Sequence, residues 1–155
     1  MSLASRALIS LIRQLIVRVV FLLLFAWTVE YWQAWTFVAL LFVWEGATSL
    51  YLYRRDPALL QRRLGQGVRA RTEETAAQQK VQSAVQGLML VTLALAATDH
   101  RKDWSSLSAS VCVVGFVLLA TALAMVFLVF KTNTYAAATV QVEQGQQVVS
   151  TGPYA

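Results

Sequence analysis

The sequence predicts an all-α membrane protein, a polytopic bundle of four transmembrane helices with a cytoplasmic polar tail. Three observations lead there. Hydrophobic residues make up 57% of the 155 and charged residues only 14%, against about 25% charged in ordinary soluble domains. The apolar residues fall in runs close to the roughly twenty that a helix needs to cross about 30 Å of hydrocarbon. The cations gather mainly at the ends of those runs. Such an apolar excess excludes intrinsic disorder, and the polar residues are too few to cover a single soluble core.

Residues 8–29 make the first span, interrupted by Arg13, Gln14 and Arg18. A secretory signal peptide is the rival reading. Two arginines break the apolar stretch, however, and no small-residue cleavage pattern precedes Glu30. Trp27, Tyr31, Trp32 and Trp35 then mark an interface, because amphipathic rings prefer the headgroup level. The second span, 34–53, therefore follows the first through a tight helical hairpin.

Residues 54–80 differ in kind. They carry Arg54, Arg55, Arg62, Arg63, Arg69, Arg71 and Lys80, with Pro57, Gly65 and Gly67 as breakers, and read as a cytoplasmic loop. Within it Asp56-Pro57 is a good helix start, since Asp caps and Pro tolerates the first position. Leu59, Leu60 and Leu64 then share one face, which suggests a short amphipathic helix on the lipid surface.

A third span at 81–97 and a fourth at 107–130 are joined by a polar link. Of the thirteen Lys and Arg, all but Arg101 and Lys102 belong to the amino-terminal end, the long loop or Lys131. The positive-inside rule then places both termini in the cytoplasm of a multi-pass inner (plasma) membrane protein. The same placement explains the net charge of +5 through anionic lipid. No aromatic-interleaved basic groove suggests nucleic acid.

One cysteine and one histidine, Cys112 and His100, supply neither a disulfide nor a metal site of the usual multi-ligand kind. As a nucleophilic dyad they lack an orienting third group. The favoured reading is a solvated histidine and a packed cysteine. Trp44, left over from the interfacial set, reads as a packing residue.

Arg18 and Glu45 are the informative charges. Their positions are symmetric about the Tyr31–Trp32 turn, so an antiparallel hairpin sets them level. An isolated charge near the bilayer centre costs at least about 2.5–3.5 kcal/mol on insertion scales. An intramembrane ion pair between the first two helices is expected, its simplest role being to fix helix register. The other role open to Glu45 is as a proton or substrate group.

Two stretches resemble the isoprenylcysteine carboxyl methyltransferase family, in its bacterial integral-membrane branch. The first is Trp32-Gln33-Ala34-Trp35 with the later run from Tyr51 through Arg54-Arg55-Asp56-Pro57 to Arg63. The second and more specific is Asn133-Thr134-Tyr135 through Val148-Val149-Ser150-Thr151-Gly152-Pro153-Tyr154-Ala155. In that family the Gly-Pro-Tyr element runs directly into an Arg-His-Pro-x-Tyr motif.

The resemblance implies methyl transfer from S-adenosylmethionine to a lipidic or hydrophobic acceptor, which for eukaryotic members is the carboxylate of a prenylated cysteine. Gln146, Gln147, Val148, Val149 and Tyr154 match the stretch that lines the cofactor, and residues 131–155 then form the start of a truncated cofactor-binding segment. Glu143 stands where relatives often carry Gln. The Arg-His-Pro-x-Tyr motif and the later active-site residues have no counterpart in these residues. The resemblance thus implies the amino-terminal part of an enzyme, with no catalytic residue of its own. Uncovered helix faces make a homo-oligomer an additional expectation. The alternative is a non-enzymatic four-helix membrane scaffold, or a small exporter using Glu45.

Overall fold

A computed structural model describes residues 1–65 and 76–132. Five helices run in chain order: α1 Leu3–Ala26, α2 Trp32–Arg55, α3 Pro57–Gly65, α4 Ala76–Lys102 and α5 Ala109–Thr132. The described residues contain no strand. Three of the helices, α1, α2 and α5, are long and apolar enough to cross a membrane.

The outer surface has the character of a lipid-facing one. Leu8, Ile16, Val20 and Leu24 on α1, and Val114, Val117, Leu118 and Met125 on α5, are all more than half exposed. In water such a surface would drive aggregation, whereas in hydrocarbon it needs no cover.

Helix α1 begins five residues before the apolar run. Ser2 caps it, its hydroxyl accepting the Ser5 N–H at 3.1 Å. It also ends earlier than the run, because Trp27 turns into the left-handed region (φ 55°) and donates its N–H to Leu23 O at 3.0 Å. Trp35 Nε1 closes the hairpin by donating to Val29 O at 2.8 Å.

Helix α2 runs to Arg55, and Asp56 serves two helices at once. Its N–H donates to Leu52 O at 2.8 Å, ending α2, while its Oδ1 accepts the Leu59 N–H at 2.9 Å, starting α3. The Asp-Pro signal thus produces a helix at the expected place. Its apolar face meets protein rather than lipid. Leu59 and Leu60 are buried with Leu52, Ala7 and Phe130, and Leu64 packs against that cluster. The reason is local: α3 folds back under the open end of the α1–α2 hairpin, where those leucines fill the gap.

Helix α4 spans 27 residues, about 40 Å at 1.5 Å per residue. It is longer than the 81–97 run and reaches through His100 into the expected polar link. It is not among the three helices apolar enough to cross by composition, since Gln78, Gln79, Lys80, Gln82 and Gln86 fill its first half. Its carboxyl-terminal half packs on α1 through Leu93 and Ala97, in a second cluster with Leu22, Ala26 and Val38. The α1–α2 hairpin is the centre of the molecule: α4 lies against α1, and α5 against α2.

Candidate functional site

Between the two apolar clusters sits the ion pair. Arg18 Nη1 donates to Glu45 Oε2 at 2.8 Å, and Nη2 donates to both Glu45 Oε1 and Gln14 Oε1, the latter at 2.9 Å. The side chains are 21% and 14% exposed. The bidentate fork fixes both the height and the rotation of one helix against the other. Gln14, one turn before Arg18, holds the guanidinium from its own helix, which sequence spacing of four predicts for a helix face.

Glu45 of the pair, with Gln14, lines a polar cavity of about 270 Å³ bounded by α1, α2 and α3. Ser10 and Gln14 of α1, Glu45, Thr48 and Ser49 of α2, and Arg63 of α3 supply its polar wall. Leu11, Leu52, Leu60 and Trp44 supply its apolar one. Trp44 Nε1 donates to Leu123 O at 2.8 Å, tying α2 to α5, and its ring lies 6.5 Å from that of Phe130.

Arg63 reaches the cavity with its guanidinium 4.0 Å from the centre of the Phe130 ring. Burial works against its charge and pushes its pKa down, while the Glu45 carboxylate acts in the opposite sense. Thr48 is 4% exposed, and its hydroxyl has no hydrogen-bond partner.

A second polar group lies at the other end of the hairpin. The His100 and Tyr31 rings stack at 4.0 Å and 5°, and His100 Nε2 donates to Glu30 O at 3.2 Å. Tyr31 donates to Ala96 O at 3.3 Å. Its pKa is raised by burial first, then by Asp99 and Cys112. His100 is therefore a packed residue joining α4 to the hairpin turn, where the sequence suggested a solvated one. Nearby, the Arg101 guanidinium lies 3.5 Å from the centre of the Trp27 ring.

The expected cofactor-lining residues Gln146, Gln147, Val148, Val149 and Tyr154 lie outside the described residues. Among the described residues no cluster of His, Cys, Asp and Glu could hold a metal ion. No family model, curated protein or solved structure matches the chain.

Proposed function

We propose that the chain is the amino-terminal part of an integral-membrane, S-adenosylmethionine-dependent methyltransferase resembling isoprenylcysteine carboxyl methyltransferase, and that it is not catalytic alone. Its four spans cross a plasma membrane with both termini, the 54–80 loop and the polar tail in the cytoplasm. The observation that carries this reading is the tail from Asn133 to Tyr154, whose Gly-Pro-Tyr element resembles the approach to the family's cofactor motif. The apolar outer surface of α1, α2 and α5 supports the membrane half of it.

In this reading Gln146, Gln147, Val148, Val149 and Tyr154 line one side of the cofactor, and the downstream sequence supplies the remainder. Methyl transfer needs the acceptor nucleophile and the sulfonium carbon held in line, so positioning contributes much of the catalysis. The bilayer delivers a lipidic acceptor while the charged cofactor arrives from the cytoplasm.

A second reading, a non-enzymatic scaffold or an exporter working through Glu45, draws support from the place of Glu45 on a polar cavity wall. Its two-point engagement by Arg18 favours a register role instead.

The test is the reading frame beyond Ala155. We expect it to encode Arg-His-Pro-x-Tyr, and the extended protein to bind S-adenosylmethionine in calorimetry while residues 1–155 bind weakly or not at all. An extended frame without that motif overturns the enzyme reading. Impermeant thiol labelling of single cysteines placed within 66–75 tests the topology: reaction from outside intact cells overturns it.

A further inference from the structure

We propose that the cavity under α3 binds a monoanionic phosphoryl group, presented by an amphiphile whose chains lie along the neighbouring apolar helix faces. The inference uses the membrane reading and is independent of the methyltransferase one. Charge is the first argument. Arg18 and Glu45 neutralise each other, and among the described residues no carboxylate lies within salt-bridge distance of Arg63. With Arg18 counted, which engages Glu45 from outside the lining, the described residues at the cavity carry one formal positive charge in excess. A single negative charge complements it, while a dianion would meet Glu45.

Geometry is the second argument. The Arg63 guanidinium carbon sits 4.0 Å from the centre of the Phe130 ring, and a guanidinium held against an aromatic ring can present its N–H groups to an acceptor in its own plane. A fork of this kind matches two phosphoryl oxygens.

Thr48 is the third and independent argument. Thr36, Thr92, Thr98, Thr121 and Thr132 each donate to the carbonyl four residues earlier in their helices. Thr48 lines the cavity without that bond. A buried hydroxyl with no partner incurs a desolvation penalty, which an acceptor in the cavity would relieve.

The walls match an amphiphile. Leu11, Leu52 and Leu60 border the polar groups, and the volume of about 270 Å³ lies just below the roughly 300–1,000 Å³ of drug-sized sites. It admits a headgroup and leaves acyl chains outside. A neighbouring cavity shares Ser10 and Leu64 and adds Arg6 and Arg13, so the approach is cationic as well.

The experiment uses the full chain in dodecyl maltoside, titrated with phosphatidylglycerol or with a phosphate-free galactosyl diacylglycerol and read by native mass spectrometry. Phosphatidylglycerol binds about tenfold more tightly, Arg63→Gln abolishes most of that preference, and Arg63→Lys keeps part of it. Thr48→Val weakens it by about threefold, while Arg54→Gln, outside the cavity, leaves it unchanged. Glycerophosphoglycerol, the deacylated and monoanionic headgroup of phosphatidylglycerol, separates the sources: competition at low millimolar concentration assigns the site to soluble phosphoryl compounds, and its failure assigns it to lipid. Equal binding of the two lipids without glycerophosphoglycerol binding overturns the proposal. So does a preference untouched by Arg63→Gln, or by Thr48→Val should the arginine variant lose its native elution profile.

Discussion

Arg18 and Glu45 meet across the α1–α2 hairpin through two guanidinium nitrogens and both carboxylate oxygens. The pair separates a dry cluster of Leu22, Ala26, Val38 and Ala97 from another of Ala7, Leu52, Leu59, Leu60 and Phe130. Each cluster could tolerate a small slide of one helix along the other, since aliphatic contacts are non-directional. The ion pair could not.

Removing one partner is expected to be worse than removing both. Full burial would set the loss at about 3–5 kcal/mol, and the partial exposure of both side chains reduces it. In a cycle of Arg18→Gln, Glu45→Gln and the double variant, a coupling of about 1–3 kcal/mol is expected. Reversible unfolding in mixed micelles checks it. Additive single effects would show that the two groups are not coupled.

Trp44→Phe keeps a ring beside Phe130 and deletes the hydrogen bond to Leu123 O. A loss of about 0.5–1.5 kcal/mol follows from one such bond, with hydrogen exchange accelerated around Leu123 on α5. Unchanged exchange there would mean that α2 and α5 are held by their apolar contacts alone.

Asp56→Ala removes the N-cap of α3 at a cost of about 0.5–2 kcal/mol. Because Leu59 and Leu60 plug the hairpin's open end, proteolysis between α2 and α4 should accelerate. Asp56→Asn, which retains a capping oxygen, should resist cleavage nearly as well as the native chain.

Tyr31 gives a pH prediction. Its pKa is raised above the ordinary 10.0 by burial, with Asp99 and Cys112 adding to it. The folded state therefore holds the phenolic proton more tightly than the unfolded one. The stabilisation is fully present below pH 10.0 and is lost as pH rises through the higher folded value. In ultraviolet titration of tyrosinate, Tyr31→Phe should remove a step lying above the ordinary 10.0. Loss of a step at or below the ordinary value would refute the burial.

Much of the fold was legible because its signals are local or follow from one symmetry. Apolar runs located the helices, Asp56-Pro57 located α3, and the aromatic turn set Arg18 opposite Glu45. Helix ends were less legible, since Ser2 and Trp27 act through backbone geometry that hydropathy does not register. The polar cavity was invisible for another reason. Ser10, Thr48 and Arg63 come together only when α3 folds back, and nothing in the spacing of leucines tells a lipid-facing helix from one that lids a bundle. His100 was misplaced similarly: its partner Tyr31 lies 69 positions earlier in the chain.

The bidentate bridge also bears on how the chain is made. As Arg18 leaves the ribosome its guanidinium has no counterion, and Glu45 emerges only 27 residues later. A lone cationic segment partitions poorly from the translocon. In the proposed membrane reading the first two helices enter the lipid together, as a zipped unit, and an arrest that kept Glu45 inside the ribosome would leave α1 waiting at the channel's lateral gate.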